Sequence, residues 1–381
     1  MTHPAARLGD LAEVTSGFAF KSEQFNTEEK GLPLVRIRDV VDGVSDTYYS
    51  GEYSAEHLVA DGDALIGMDG QFNLACWRGG AALLNQRVCR VKAVNSRLDQ
   101  SYLLHFLPAA LKEIEDRTPF VTVKHLSVKA LREIEVPLPP LAEQRRIAAI
   151  LDKVDALRAN RREAIAKLDQ LLHSVFLDMF GDPATNPMGW PVGVIGDLLD
   201  SVKYGSSEKA VLEGEVPILR MNNITYSGEM DLRDLKYISA SSADEKYLVR
   251  PGDILFNRTN SKELVGKTAV YDGPTPMAYA GYLVRGRAKS GQSPYYISGF
   301  MNSLYGKTML QGMCKSIVGM ANINAQEFKA IAIALPPARV QKEYESKIRS
   351  IKAQRDQHRS QSVKLDALFS SLQQQAFAGT L

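Results

Sequence analysis

Cysteine is scarce in this chain, with Cys76, Cys89 and Cys314 the three in 381 residues. They lie far apart, form no CxxC pair and cannot pair off completely, which argues against a disulfide framework and a structural zinc site. They are expected to be small apolar residues of a core. No apolar run approaches the roughly 20 residues that span a bilayer. Met1-Thr2-His3-Pro4 has no basic segment leading into an apolar stretch, so the expected location is cytoplasmic, with no membrane contact. Charge of one sign is missing too: the net charge is +2, so any face for a polyanion has to come from local placement. The 45% hydrophobic and 24% charged content is that of a globular protein, and the length suits two or three domains with separate cores.

The motifs of an enzyme are also missing. A phosphate-binding loop needs GxxxxGK[ST], whose first glycine lets the backbone wrap the phosphates. Gly266-Lys267-Thr268 and Gly306-Lys307-Thr308 supply only its end, with Ser261 and Met301 where that glycine belongs. Asn186-Pro187-Met188-Gly189 carries the first half of an adenine methyltransferase motif, but its place after a long helix reads better as a turn. No GxGxxG follows a strand-like run, the six histidines make no HxH or HxxxH pair, and Asp244-Glu245-Lys246 is a spacing any charged chain shows. The expectation is no catalytic residue, no metal and no cofactor of the chain's own.

What is there is a repeat. Leu8-Gly9-Asp10-Leu11 returns as Ile195-Gly196-Asp197-Leu198, and Gly62-Asp63-Ala64-Leu65-Ile66 returns as Gly252-Asp253-Ile254-Leu255-Phe256. The strand-like run Leu32 to Val40 returns as Val216 to Ile224, where alternation puts Arg36 and Arg38 on one face and Arg220 and Asn222 on the matching one. Val136-Pro137-Leu138-Pro139-Pro140 with Gln144 returns as Ile333-Ala334-Leu335-Pro336-Pro337 with Gln341.

Each Pro-Pro opens a stretch free of proline and glycine, and Gly181 and Gly379 end the two stretches. Proline is tolerated at a helix start and glycine at its stop, so each stretch reads as one helix. About 40 residues at about 1.5 Å each give on the order of 60 Å, too long for one small domain. Apolar positions follow a 4,3 spacing: Ile147, Leu151, Val154, Ile165, Leu168, Leu172 and Val175, matched by Tyr344, Ile348, Ile351, Ser362, Leu365, Phe369 and Leu372. The two helices are therefore expected to pair as an antiparallel coiled coil. The polar mid-seam residues Arg158, Arg161, Arg355 and His358 would mark a looser stretch or a partner contact. The fold class is α/β: two globular domains, 1–140 and 181–337, alternate with long helices at 141–180 and 338–381 in a pseudo-twofold repeat. Ser101 to Glu115 and Tyr295 to Gln311 read as further helical pieces.

Val136 to Ile147, the helix exit Met179-Phe180-Gly181-Asp182-Pro183 and the linker Asn186 to Pro191 carry a resemblance. Over essentially its whole length the chain resembles the specificity subunit of type I restriction-modification systems, in which two target-recognition domains alternate with two long helices. Ala338-Arg339-Val340-Gln341 departs from the Leu-x-Glu-Gln usual at the second helix start. The resemblance implies a non-catalytic subunit that binds a two-part duplex DNA target and holds two methyltransferase subunits; whether ATP-driven restriction subunits join them the sequence leaves open. S-adenosylmethionine and ATP would belong to those partners. A rigid helix pair of this length would fix the distance and rotation between two DNA-reading domains, and so is expected to act as a ruler between half-targets.

Base edges specify sequence and phosphates supply salt-dependent affinity, so arginine, lysine and amide residues are the candidate readers. In the first domain these are Arg36, Arg38, Arg78, Arg87, Lys124 and His125. In the second they are Arg220, Asn222, Asn223, Asn257, Arg258, Asn260, Lys262, Lys267 and Lys315. Gln144, Arg158, Arg161, Gln341 and Arg355 are the candidate partner contacts. Tyr279, Tyr282, Tyr295 and Tyr296 read as core residues with a wet hydroxyl. A coiled-coil scaffold whose ends bind proteins fits the repeat and the helices equally well; the basic and amide-rich loops and the resemblance are what favour DNA.

Overall fold

The computed structural model describes residues 3–118, 124–313, 315–317 and 320–381. The chain forms two compact units, Met1–Arg162 with Gln361–Leu381, and Glu163–Ser360. The boundary cuts both long helices, Leu141–Phe180 and Ala338–Ala378. Each unit thus takes helix segments into its own core, which is why the units do not follow the limits 1–140 and 181–337. Gly181 and Gly379 stop the helices in the left-handed conformation, at φ 72° and 73°, that glycine adopts without steric cost.

In the first unit, Ala5–Arg7 pairs antiparallel with Glu135–Pro137. An antiparallel sheet follows in the order Ala12–Ser16, Val88–Ala93, Ala64–Gly67, Leu74–Cys76. A second sheet runs Phe25–Asn26, Tyr48–Tyr49, Leu32–Val35, Ala82–Leu84, Leu58–Val59, with Leu32–Val35 and Ala82–Leu84 parallel. Ala64–Gly67 is buried along its whole length, which explains an unbroken apolar run in place of alternation.

The second unit repeats this plan. Val192–Val194 pairs with Ala332–Ala334, and an antiparallel sheet runs Leu199–Tyr204, Leu283–Ala288, Ile254–Asn257, Thr268–Val270. The second sheet runs Lys236–Ile238, Val216–Leu219, Met277–Tyr279, Leu248–Val249, again with one parallel pair, Val216–Leu219 beside Met277–Tyr279. A three-stranded sheet of Thr259–Asn260, Met320–Asn322 and Lys315–Ile317 follows in this unit. Two glycines show how closely the copies agree. A Cβ on Gly17 would lie 2.0 Å from the Asn85 carbonyl oxygen, and one on Gly205 would lie 2.3 Å from that of Ala280.

The expected helix at Ser101 to Glu115 is Gln100–Arg117. Its counterpart is two helices, Pro294–Asn302 and Leu304–Met313. Ser303 makes the break: its hydroxyl donates to Phe300 O (2.7 Å) and accepts from Gly306 N–H (3.0 Å), capping the second piece.

The long helices pair antiparallel in each unit. In the first, Arg146 donates to Leu381 O (2.9 Å) and Arg158 to Asp366 Oδ1 (2.6 Å). In the second, Arg355 donates to Asp169 Oδ1 (3.0 Å) while Phe176 stacks edge-on against Tyr344. Of the expected seam positions, Ile147, Leu151, Val154, Val175, Tyr344, Ile348 and Ile351 are buried, while Ile165, Leu168, Leu172, Ser362, Leu365, Phe369 and Leu372 are half-buried.

Candidate functional site

The strands expected to run through Arg36 and Arg38, and through Arg220 and Asn222, stop short of them. Leu32–Val35 gives way to a turn and the one-turn helix Asp39–Asp42, and Val216–Leu219 gives way to the 3-10 turn Met221–Asn223. The cause is the same in both copies: a side chain three residues ahead accepts the N–H that the next strand residue would have used. Asp39 Oδ2 takes Arg36 N–H (2.8 Å) and Asn223 Oδ1 takes Arg220 N–H (2.8 Å). Asn223 is 1% exposed, and its amide also donates to Asp231 O and Asp234 O. It is therefore a turn-builder and not a base reader. Arg220 and Asn222 converge on Asp234 (3.0 and 2.7 Å), while exposed Arg38 reaches Thr47 Oγ1 (3.3 Å). Arg78 is exposed, with its Cβ beside Gly43.

Beyond the central strands Ala64–Gly67 and Ile254–Asn257, the backbones of the two copies match bond for bond. Met68 N–H donates to Arg87 O and Leu126 N–H to Met68 O; Arg258 N–H donates to Tyr282 O and Ile323 N–H to Arg258 O. Asp69 bridges to His125 as Thr259 pairs with Asn322. The side chains on this common edge differ. In the first unit Asp69 forms an ion pair with Arg87 Nε (3.3 Å) and contacts His125 Nδ1 (2.6 Å), with Lys124 alongside, its ammonium donating to Glu115 O. In the second, Thr259 Oγ1 donates to Asn322 Oδ1 (3.1 Å), and Arg258 lies over the Tyr204 ring.

Arg87, Lys124 and His125 are thus brought together. So are Arg258 and Asn260, whose Oδ1 accepts from Ser261 N–H (2.9 Å). Lys267 Nζ donates to Met221 O (2.7 Å), joining the Arg220 turn to this edge, and burial lowers its pKa from the usual lysine value. Lys262 is exposed on the following loop. Lys315 stands in the strand Lys315–Ile317, but its side chain lies outside the described residues. Asn257 is 0% exposed, and neither its Oδ1 nor its Nδ2 has a hydrogen-bond partner among the described residues.

Tyr279, Tyr295 and Tyr296 are buried as expected, whereas Tyr282 is 50% exposed on the edge just described. Asp69 and Asn322 are edge residues that sequence reasoning missed, and Tyr282 is one that it assigned to the core. The signal was present in the repeat but hidden, because the spacing between equivalent positions drifts along the chain. Cys89 is buried, and burial pushes its thiol up to about 12, while Cys76 is exposed and so is no core residue. Cys314 lies outside the described residues.

The helix glutamines are not free to meet a partner. Gln144 is 0% exposed: it accepts from Asp99 N–H (2.9 Å) and donates to Arg97 O (2.8 Å) and Pro139 O (2.9 Å). Gln341 is 1% exposed, accepting from Ser293 N–H (3.1 Å) and donating to Gln292 Oε1 (2.8 Å) and Pro336 O (2.9 Å). Asp99 and Ser293 are the N-caps of Gln100–Arg117 and Pro294–Asn302. Both glutamines therefore weld the start of a long helix to the start of a short one. Arg355 is 5% exposed and ion-paired to Asp169 and Glu229, so it too faces inward. Arg158 is half-buried, paired with Asp155 and Asp366, and stacked on Phe369 at 4.4 Å. Arg161 is half-buried and engaged in interactions of its own. At Arg158 and Arg355 the polar mid-seam is ion-paired and not loose.

Among the described residues no group of three or more His, Cys, Asp or Glu side chains converges to hold a metal ion, and no described helix is long and apolar enough to cross a membrane. The edge offers hydrogen-bond donors and acceptors on a rigid backbone, which suits recognition.

Comparison with known proteins bears on what is recognised. Residues 5–170 match the family described as the type I restriction modification DNA specificity domain. The chain is 44% identical over 164 residues to the type I restriction enzyme EcoBI specificity subunit of Escherichia coli, a match covering 43% of this chain and 34% of that protein. It is 23% identical over 414 aligned residues to the EcoKI specificity subunit of Escherichia coli K12, covering 99% of this chain and 88% of that one. The fold is similar to a crystal structure of a type I restriction-modification S subunit from M. genitalium, with TM-score 0.64 and 12% identity over 98% of this chain and 96% of that one. A structure from work on complex assembly and conformational transition of the type I restriction-modification system gives TM-score 0.57 and 17% identity, over 100% and 98%.

Proposed function

We propose that this chain, whose residues 5–170 match the type I restriction modification DNA specificity domain, is a member of that family, recognises a two-part duplex DNA target and positions partner methyltransferase subunits on it. The observation that carries the reading is one polar-edged backbone, built twice in one chain with different side chains. Two copies suit two half-targets, and the difference between them suits half-targets of unlike sequence. Arg36, Arg38, Arg78, Arg87, Lys124, His125, Arg220, Asn222, Arg258, Asn260, Lys262, Lys267 and Lys315 supply contacts to bases and phosphates. A chain that repeats its fold also offers two equivalent places for two methyltransferase subunits, with Arg158 and Arg161 the seam residues still open to solvent on one side.

S-adenosylmethionine and ATP belong to the partners, and the chain itself performs no bond-making step. It works in the cytoplasm, where its DNA is. Co-expression with a partner methyltransferase, followed by genome-wide mapping of modified adenines, tests the reading: two half-sites with a fixed unread spacer are expected, and methylation without such a motif overturns it. Seven residues inserted after Arg161, together with seven after Ser362, should change that spacer. An unchanged spacer rules out the long helices as its ruler.

A further inference from the structure

The internal repeat serves as a control for what the fold itself demands. Where a side chain maintains the backbone, both copies keep it. Arg90 and Arg285 donate to the carbonyls of Leu58 and Leu248, and each lies near an aspartate, Asp63 or Asp253. The Tyr102 and Tyr296 hydroxyls donate to Pro137 O (3.1 Å) and Ala334 O (2.7 Å), just before each Pro-Pro. Gln144 and Gln341, described above, do the same job twice. On the edge beyond the central strands, the backbone is kept but all three outward side chains change: Asp69, Arg87 and His125 against Thr259, Tyr282 and Asn322. The fold does not require this divergence, and it sits on strand ends, which hold a reading group more rigidly than a free loop.

The chemistry of each set is specific. Arg87 has 55% of its side chain exposed and turns Nε toward Asp69, which leaves its two terminal nitrogens as a donor fork. That fork matches O6 and N7 of guanine. Asn322 accepts from Thr259 through Oδ1; the carbonyl keeps a second lone pair and the amide two donors. That arrangement matches N6–H and N7 of adenine.

Resting on the DNA-recognition reading, we propose that Arg87, positioned by Asp69, reads a guanine in one half-target, and that Asn322, positioned by Thr259, reads an adenine in the other. The test is selection from a randomised duplex DNA library by the full chain in complex with its methyltransferase, for wild type, Arg87→Ala, Arg87→Lys and Asn322→Ala. Wild type is expected to enrich two half-targets. Arg87→Ala should lose preference at one guanine by about tenfold and leave the other half-target intact. Arg87→Lys keeps the charge without the planar fork and should relax the same position while retaining more affinity. Asn322→Ala should relax one adenine in the opposite half. Thermal melts matching wild type certify the folded state, and both arginine replacements are at an exposed position. Unchanged preference at every base, or affinity lost evenly over all sequences, overturns this assignment while the two-part target stands. Failure of wild type to enrich any sequence overturns the underlying reading and the assignment with it.

Discussion

The edge of the first unit carries Asp69, Arg87 and His125, and the same backbone in the second unit carries Thr259, Tyr282 and Asn322. Elsewhere in the two units the copies agree on Gly17 and Gly205, Gln144 and Gln341, Tyr102 and Tyr296. The contrast separates two demands on one polypeptide. Residues that satisfy buried backbone groups are held fixed because an unmade buried hydrogen bond is expensive, whereas residues on a solvent edge are free to differ and so to discriminate.

The comparison breaks if equivalent positions respond unequally. The largest effect is expected at the glycines. Gly17→Ala and Gly205→Ala place a Cβ 2.0 and 2.3 Å from a backbone carbonyl oxygen, and each should cost about 4 kcal/mol, at the upper end for single substitutions. Denaturant unfolding followed at Trp77 in the first unit and Trp190 in the second reads the two losses separately. Next come Gln144→Ala and Gln341→Ala. Each strands one backbone N–H and two carbonyl groups, or their equivalents, and should cost about 3 kcal/mol. A clear inequality between the two would show that the second helix start, where Ala338-Arg339-Val340 replaces the more usual wording, is held differently.

A smaller effect sharpens the comparison along the helices. Arg355 has 6% of its side chain exposed and joins Asp169 and Glu229, while Arg158 has 18% exposed and joins Asp155 and Asp366. Removing the more buried cation leaves Asp169 and Glu229 with the half-exposed Arg359, at 3.8 and 3.7 Å, so Arg355→Ala should cost about 2 kcal/mol. Arg158→Ala should cost about 1 kcal/mol, because water screens what remains. Equal losses would mean that the seam is equally dry in both units.

The sequence made the long-range plan readable because helix punctuation and the repeat are local signals: Pro139-Pro140 and Pro336-Pro337 open the helices, and Gly181 and Gly379 close them. It misled at Arg36 and Arg220, where alternation suggested a longer strand and the capping side chains Asp39 and Asn223 ended it. Gln144 and Gln341 were visible as repeated residues, but burial is not written in a polar letter, so they looked like partner contacts. The reading edge was only half legible. Arg87, Lys124 and His125 drew notice by type, while Tyr282 and Asn322 acquire meaning only when strand pairing shows that they stand where Arg87 and His125 stand.

Asn257 gives the smallest expected effect and the most direct link between stability and recognition. It ends the strand Ile254–Asn257, its backbone N–H donating to Lys267 O just as Gly67 N–H donates to Asn73 O. The first copy thus builds the same strand end with no side chain at all. In the second copy a fully buried amide is inserted there with no partner for either polar atom among the described residues, next to Arg258 and close to the lysine that ties down the Met221 turn. An unmet buried polar group costs about 1–3 kcal/mol, against which Asn257→Ala loses only a little packing, so the variant should gain about 1 kcal/mol of stability. If the amide is kept because the second edge needs it when DNA is engaged, the same variant should bind its half-target more weakly while melting higher. A variant that melts lower would mean that the amide is satisfied in the folded chain, and its place beside Arg258 would then need no functional reason.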